Sequence, residues 1–317
     1  MQLYPSITPY NDFHLNVGEG HQLHVQEYGN PKGFALVICH GGPGLGLHPD
    51  NCRFFDPNRY RIILYSQRGC GQSTPHQISD NTTDNLIEDL NYLRQSLGIE
   101  KLSLCGGSWG ATLCLLYAIK YRNHVAGLIL RGTFLATHAD LAWLYGPKGA
   151  GAQFYPELYQ AFSQNQPDVK RILALYAQHL HSDDQISAIH YAKQWCQWEA
   201  VLSQGRQSSQ WALNCPQQRL KMARLMVHYF SSQCFIEEGY IAKNSPCLQS
   251  LPMWFIHGRH DLVCRFSAVQ QLTTQLNAQL LVLDEIGHGV DNHVYLSAVR
   301  RAADLLSIKL SRNQCKD

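Results

Sequence analysis

The segment that most constrains this chain is Gly-Gly-Ser-Trp-Gly at residues 106–110, which encloses Ser108 between glycines. It follows the apolar run 102–105 and precedes the helix-forming run 111–119. This order predicts a buried strand, a sharp turn and a helix, with the serine held in a strained backbone conformation at the turn. Free N–H groups at the helix start would stabilise a developing negative charge there. The pattern favours a nucleophile at Ser108; the alternative is a glycine-rich turn with a bystander serine.

A second glycine-rich loop follows an earlier predicted strand. The apolar run 35–39 leads into His-Gly-Gly-Pro-Gly at residues 40–44. Hydrolases built on a strand–serine–helix turn take one oxyanion-hole N–H from the residue after the nucleophile, here Trp109. The other comes from a loop after an early strand, here Gly42, and we expect the neighbouring Gly41 to contact the substrate. A simple tight turn is the alternative for this loop.

A serine nucleophile needs a base and an acid that orients it, in the chain order Ser, Asp or Glu, His. The predicted strand 252–257 is followed by Asp261, and the predicted strand 279–283 leads through a short turn to His288. Catalytic groups of open α/β sheets gather outside the carboxyl ends of the strands. We therefore predict that Asp261 orients His288, and that His288 is the base for Ser108.

The choice of His288 needs an argument, because the chain contains 16 histidines. A histidine without a partner carries no base role. His293, beyond the Gly-His-Gly turn, is the nearest rival. Asp284 and Asp291 are the rivals of Asp261, but both sit beside the histidine and not on a separate strand end. We rank all three lower.

Composition narrows the class of protein. The net charge is +2 and the chain has no lysine- or arginine-rich run, so a role on nucleic acid or a membrane surface has no electrostatic support. No apolar run approaches the ~18 residues of a membrane span, and the first residues do not resemble a signal peptide, so we expect a cytoplasmic protein. The 11 cysteines lack C-x-x-C spacing, which favours reduced thiols without a metal site. A homo-oligomer stays open.

The chain divides into three parts by its pattern of predicted elements. Residues 1–135 alternate between strand and helix signals, and residues 246–317 resume that alternation. Residues 136–245 instead show helical periodicity, for example over 170–180 and 218–227. We predict an α/β fold with a mostly parallel central sheet flanked by helices and an inserted helical cap.

Several motifs together resemble a known family. They are His-Gly-Gly-Pro-Gly at 40–44, Gln-Arg-Gly-Cys-Gly at 67–71 with Ser73, Gly-Gly-Ser-Trp-Gly at 106–110, Leu-Arg-Gly at 130–132, Trp-Cys-Gln-Trp-Glu at 195–199 and Gly-Arg-His-Asp at 258–261. Shorter matches at 149–150, 154–156 and 228–230 extend the likeness over nearly the whole chain. The family is that of the proline iminopeptidases, prolyl aminopeptidases of the α/β-hydrolase fold. The resemblance implies release of N-terminal proline from a small peptide by a serine mechanism, without metal or organic cofactor.

The resemblance assigns Glu199 to binding of the substrate amine. A carboxylate in an aromatic-walled pocket would bind a charged amine and close the pocket to longer chains. Trp195 and Trp198 lie within one helical turn of Glu199, so we expect both to help form this pocket. The alternative is that both tryptophans only pack the cap and Glu199 is solvated.

Two positions depart from the family. Ser66 stands where the family has an aspartate, which we expect to accept hydrogen bonds in the turn at residues 67–71. Serine is a shorter, neutral acceptor, so Ser66 could take over part of this role. Met226 stands where the family has a second glutamate for the amine. Losing one charged hydrogen bond costs about 1.5–3 kcal/mol, unless Glu237 or Glu238 compensates.

These residues predict acyl transfer through Ser108, with the free amine selected by Glu199. Two other functions stay open. The first is a serine esterase or amidase with a relaxed need for a free amine, which Met226 favours. The second is a non-catalytic binding protein on a hydrolase scaffold.

Overall fold

The computed structural model describes residues 3–205, 215–289 and 292–314. Its strands are β1 (Asn11–Gly18), β2 (His21–Gly29), β3 (Phe34–Cys39), β4 (Tyr60–Tyr65), β5 (Leu102–Gly107), β6 (Val125–Arg131), β7 (Met253–Gly258) and β8 (Gln279–Leu283). Its helices are α1 (Thr83–Ser96), α2 (Trp109–Lys120), α3 (His138–Tyr145), α4 (Ala150–Phe154), α5 (Pro156–Ser163), α6 (Val169–Leu180), α7 (Gln185–Gln204), α8 (Pro216–Ser231), α9 (Tyr240–Asn244), α10 (Phe266–Leu276) and α11 (His293–Gln314).

Eight strands within the described ranges form one sheet in the order β1-β2-β4-β3-β5-β6-β7-β8. The pairs β1–β2 and β2–β4 are antiparallel, and every later pair is parallel. The strands from β3 to β8 therefore end at a common edge, where the loops that follow them meet. The predicted α/β class with a mostly parallel sheet is confirmed.

Helices cover both faces of the sheet, which explains why its central strands are apolar throughout. In β3, Val37 and Cys39 pack into the cluster that contains the buried side chains of α1 and α2, whereas Leu36 and Ile38 pack into the cluster under α11. Because each face of a strand is buried, no alternation with polar residues is needed. The last helix, α11, extends to Gln314, and Leu310 continues its apolar face one turn beyond Leu306.

Helices α3 to α9 lie in the chain between β6 and β7. Residues 136–245, the predicted cap, contain no strand in the part that the structure describes. One end of α8 lies over the core loop after β3, because a Cβ added at Gly44 would lie 3.1 Å from the Met222 side chain. Residues 136–245 therefore stay our proposed cap, placed above the common edge of the sheet.

None of the described helices is both long enough and apolar enough to span a bilayer.

Candidate active site

Ser108 is the single residue between β5 and α2. Its backbone has φ 55° and ψ −123°, outside the regions that non-glycine residues favour. Its N–H donates to the carbonyl of Arg131 on the neighbouring strand over 3.0 Å, which ties the turn to the sheet. The strained strand-to-helix turn that the sequence predicts is therefore present, with the Ser108 side chain facing a cavity.

The glycines of this turn are required by close approach of the backbone. A Cβ on Gly106 would collide with the backbone of Gly110 one helical turn later. A Cβ on Gly110 would collide with the carbonyl of Cys39 at the end of β3. Only glycine lets α2 cross this closely over both strands, which brings the helix start to the loop at residues 40–44.

Asp261 and His288 meet at the same edge of the sheet. Nδ1 of His288 lies 2.8 Å from Oδ2 of Asp261, and the carboxylate is fully buried. Oδ1 of Asp261 accepts backbone N–H bonds from Val263 at 2.8 Å and Cys264 at 2.7 Å. Burial alone would raise the pKa of Asp261, but the charge and hydrogen bond of His288 outweigh it and hold this pKa below its usual value. The carboxylate therefore stays ionised and keeps the imidazole oriented.

Ser108 and His288 line one cavity of about 170 Å³. Glu199 from α7 lies on the same wall, and so do Gly41 and Gly42 from the loop after β3. Gly41 lies directly beside the nucleophile, since a Cβ added there would be 3.6 Å from Cβ of Ser108. The cavity thus joins residues that four separate segments of the chain contribute.

The rival residues that the structure describes do not line this cavity. His293, the first residue of α11, is exposed. Asp284 is also exposed, and it pairs with Arg259 on the neighbouring strand end. Neither lines the cavity, and Asp291 lies outside the described residues.

A hydrogen-bond network that the sequence did not predict joins the two predicted oxyanion donors. Nε2 of Gln67 donates to the carbonyl of His40 over 2.9 Å, and Oε1 of Gln67 accepts from the indole Nε1 of Trp109 over 3.0 Å. Trp109 is the first residue of α2, where backbone N–H groups have no partner within the helix. Gln67 therefore fixes the loop that carries Gly42 against the helix start that carries Trp109.

His40 completes this network as a neutral side chain. Its Nε2 accepts the backbone N–H of Gln67 over 2.9 Å, so the ring proton lies on Nδ1, 2.9 Å from the carbonyl of Gly41. Burial lowers the pKa of His40 to about 4, which keeps the ring uncharged at neutral pH. The motif Gln-Arg-Gly was visible in the sequence, but its spatial partners come from two distant segments.

Glu199 is buried, so the alternative of a solvated carboxylate is wrong. The hydroxyl of Tyr145 donates a short hydrogen bond to it. Burial raises the pKa of Glu199 to about 7, although the Tyr145 bond and the nearby His288 act in the opposite direction. A buried carboxyl group with this pKa has much to gain from a cationic partner in the cavity.

The prediction that Trp195 and Trp198 help form the substrate pocket needs correction. Neither is among the described residues that line the cavity. Trp198 stacks on Phe162 at 5.0 Å between ring centroids, and its indole N–H donates to a backbone carbonyl. Trp195 packs at 4.9 Å against Tyr145. Both tryptophans are therefore packing residues of the cap: Trp195 shares the helix face of Glu199 but packs on Tyr145, whereas Trp198 points about 100° away from Glu199 around the helix and packs on Phe162.

The two departures from the family have different consequences. Oγ of Ser66 accepts the N–H of Leu47 over 3.1 Å, so the serine supplies an acceptor to the loop after β3 and not to the turn at residues 67–71. Met226 lines the cavity as part of an apolar wall. Glu237 and Glu238 are exposed and belong to ion pairs on the surface, which excludes the open alternative that one of them replaces the missing glutamate at Met226 in this structure.

One group of side chains could in principle hold a metal ion. Among the described residues, Asp261, Cys264 and His288 place ligand atoms within 4.8 Å of one another. The Asp261 and His288 atoms already bond to each other, so an ion there would break the contact that orients the imidazole. Burial raises the pKa of the Cys264 thiol well above its usual value, which disfavours the thiolate needed for a metal or for nucleophilic attack. The hydroxyl of Ser108 is the nucleophile that this arrangement favours.

Comparisons with known proteins identify the family of this chain. The family model of the alpha/beta hydrolase fold matches residues 35–290. The proline iminopeptidase of Xanthomonas citri is 35% identical over 95% of this chain and 98% of its own length. That of Arabidopsis thaliana is 34% identical over 91% of this chain and 78% of its own. Among solved structures, a proline iminopeptidase-related protein of Thermus thermophilus is 20% identical, with a TM-score of 0.62 over 93% of this chain and 96% of that chain.

Proposed function

Because the chain belongs to the proline iminopeptidases of the α/β-hydrolase family, we propose that it releases N-terminal proline from peptides through an acyl-enzyme on Ser108. The observation that carries this proposal is the shared cavity of about 170 Å³, which Ser108, His288 and Glu199 all line. An engineered cavity of about 150 Å³ is known to hold one benzene ring, so this volume suits the five-membered ring of proline.

The proposed reaction begins when Nε2 of His288 takes the hydroxyl proton of Ser108. The Ser108 oxygen attacks the prolyl carbonyl carbon, and the N–H groups of Gly42 and Trp109 bind the resulting oxyanion. His288 then gives its proton to the leaving amine as the C–N bond breaks, which leaves proline esterified to Ser108. Water, activated by the same imidazole, releases proline and restores the hydroxyl.

Glu199 would select substrates by their free amine. The protonated amine of proline replaces solvent as the partner of a buried carboxylate, and this favours a charge-assisted hydrogen bond. Met222 and Met226 also line the cavity, whose volume of about 170 Å³ suits a single residue. The size of the cavity therefore supports removal of one residue at a time from the amino terminus.

The pKa of Glu199, about 7, predicts a pH dependence that only free-amine substrates show. Below this pH the carboxyl group is protonated and neutral; as the pH rises through it, the carboxylate forms and can pair with the substrate ammonium group. We expect kcat/KM for prolyl-4-nitroanilide, divided by that for 4-nitrophenyl butyrate, to rise across this range. The ratio cancels the titration of His288, which both substrates need.

Glu199→Gln is expected to abolish this rise and to lower kcat/KM for prolyl-4-nitroanilide by about 10- to 100-fold at pH 8, with butyrate hydrolysis little changed. Glu238→Gln is the matched control, because Glu238 is exposed and pairs with His138 on the surface. If Glu199→Gln lowered kcat/KM equally for both substrates, Glu199 would support the fold of the site and would not bind the substrate amine.

A serine esterase or amidase is the second candidate function, and Met226 is the observation that favours it. Among the described residues, the cavity wall has one carboxylate where the family pattern has two. The cavity therefore binds a substrate amine less tightly, and the difference in affinity between substrates with and without an amine is smaller. Prolyl-4-nitroanilide, its N-acetyl analogue and 4-nitrophenyl butyrate separate the two functions. A higher kcat/KM for the blocked anilide than for the free one would favour the second candidate.

Gln67→Met is expected to lower kcat for prolyl-4-nitroanilide by about 10- to 100-fold, with a smaller effect on KM. The methionine fills a similar volume but leaves the carbonyl of His40 and the indole N–H of Trp109 without their partner. Losing one oxyanion donor outright costs a factor of about 100–1,000, and loosening both costs less than that. Gln95→Met, at an exposed position of α1, is the control. A folded Gln67→Met protein with the parent kcat would contradict this role.

A further inference from the structure

A second and larger cavity, of about 650 Å³, lies beside the catalytic cavity. Ser203, Gln204 and Gly289 line both cavities, so the two are adjacent. The larger one, which we call the outer groove, lies between the cap helices α4 and α7 and the loops that follow β7 and β8. Its volume is within the ~300–1,000 Å³ of sites that bind compact organic ligands, so it can hold a short peptide segment.

The outer groove lies on the side where the leaving group must depart. The proton from His288 goes to the leaving nitrogen, so the chain that follows this nitrogen passes close to His288. Gly287 and Gly289, the neighbours of His288 in sequence, both line the outer groove. Glu199, in contrast, lines the small cavity and is not among the described residues that line the outer groove. A peptide seated with its amine at Glu199 therefore has its continuation directed into the outer groove.

The cap side of the outer groove is aromatic. Trp143, Phe154 and Tyr155 line it, and the Phe154 side chain is 67% exposed. A large apolar ring left open beside a catalytic cavity is typical of a surface that a ligand covers. The core side carries Arg259, His260 and Glu285, which offer polar contacts to a peptide backbone. Phe154 also belongs to the motif at 154–156, to which the catalytic reaction assigns no role.

We propose that the outer groove binds the peptide segment downstream of the scissile bond, with Phe154 as an apolar contact. This inference rests on the proposed function, because it assumes that proline occupies the cavity at Ser108. The groove makes the enzyme selective for peptides of several residues over dipeptides and anilides. Its contribution appears in kcat/KM for the longer substrates alone.

The test compares Pro-Leu-Ala-Leu-Ala, Pro-Leu and prolyl-4-nitroanilide, with released proline or nitroaniline as the readout. For the parent protein we expect kcat/KM to be about tenfold higher for the pentapeptide than for the dipeptide. Phe154→Ala is expected to lower kcat/KM for the pentapeptide by about five- to tenfold relative to the parent. Its kcat/KM for the anilide is expected to stay within about twofold of the parent value. Phe154→Tyr keeps the ring and is expected to behave as the parent does.

Ile186→Ala is the matched control, because this apolar side chain is 84% exposed at the other end of α7 and does not line the groove. If the parent protein had equal kcat/KM for the pentapeptide and the dipeptide, and Phe154→Ala changed neither value, the inference would be overturned. The proposed function would still stand. An equal loss on pentapeptide and anilide in Phe154→Ala would overturn it too, since it would place the effect at the catalytic cavity. Failure of the parent protein to cleave any of the three prolyl substrates would overturn the proposed function and the inference with it.

Discussion

Replacing Ser108 with alanine is expected to lower kcat for prolyl-4-nitroanilide by about 10⁵- to 10⁶-fold. The variant keeps the Cβ atom at the strained turn but loses the one oxygen on which the acyl-enzyme can form. Glu199 and Gly42 keep their places around the cavity, so substrate binding is expected to survive with KM little changed. Labelling by an organophosphonate probe, which needs the same oxygen, is expected to disappear in the variant.

Ser103→Ala is the control for this experiment. Ser103 lies five residues earlier, within β5, and its buried hydroxyl has no hydrogen-bond partner in the described part of the chain. Its removal is expected to leave both activity and labelling at the parent level. If the Ser108→Ala protein cleaved the anilide at the parent rate, the nucleophile would have to be another group.

The second large effect is expected for Asp261→Asn, which should reduce kcat by about 10⁴-fold without unfolding the protein. The two backbone N–H donors at Val263 and Cys264 require an oxygen at the Oδ1 position, so the new amide must direct its NH₂ group at His288. Nδ1 of His288 can then only accept, and its proton moves to Nε2. In that tautomer the imidazole cannot take the proton of Ser108.

Asp284→Asn provides the comparison, because Asp284 also follows a strand but is exposed and pairs with Arg259. Its activity on prolyl-4-nitroanilide is expected to match that of the parent. Thermal melts of both variants show whether the loss of activity comes from the changed tautomer of His288 or from unfolding of the protein. Parent-level kcat in a folded Asp261→Asn protein would rule out Asp261 as the residue that orients the base.

The sheet and the turn at Ser108 could be predicted because their signals are local. An apolar strand, a serine between glycines and an apolar helix follow one another within about twenty residues of sequence, and sterics alone then require the strained turn. Asp261 and His288 could be predicted from a second general rule, that parallel strands bring their carboxyl ends to one edge of the sheet.

What the sequence did not reveal depends on contacts between distant segments. Gln67 connects His40 to Trp109, and no pattern within its own motif indicates either partner. The error over Trp195 and Trp198 has a related cause, because the spacing along the helix does not show that aromatic side chains of other helices, Tyr145 and Phe162, pack against these rings. The burial of Glu199 likewise arises from the way that several cap helices pack together.

The reacting groups follow strands of the sheet, whereas Glu199, Met222, Met226 and Phe154 belong to the helices that separate β6 from β7. Bond cleavage and substrate choice are thus encoded in different stretches of the polypeptide. A library of variants restricted to residues 136–245 should therefore yield enzymes with new preferences and an unaltered reaction. The same division allows descendants of this chain to diversify in what they digest while the chemistry is inherited intact.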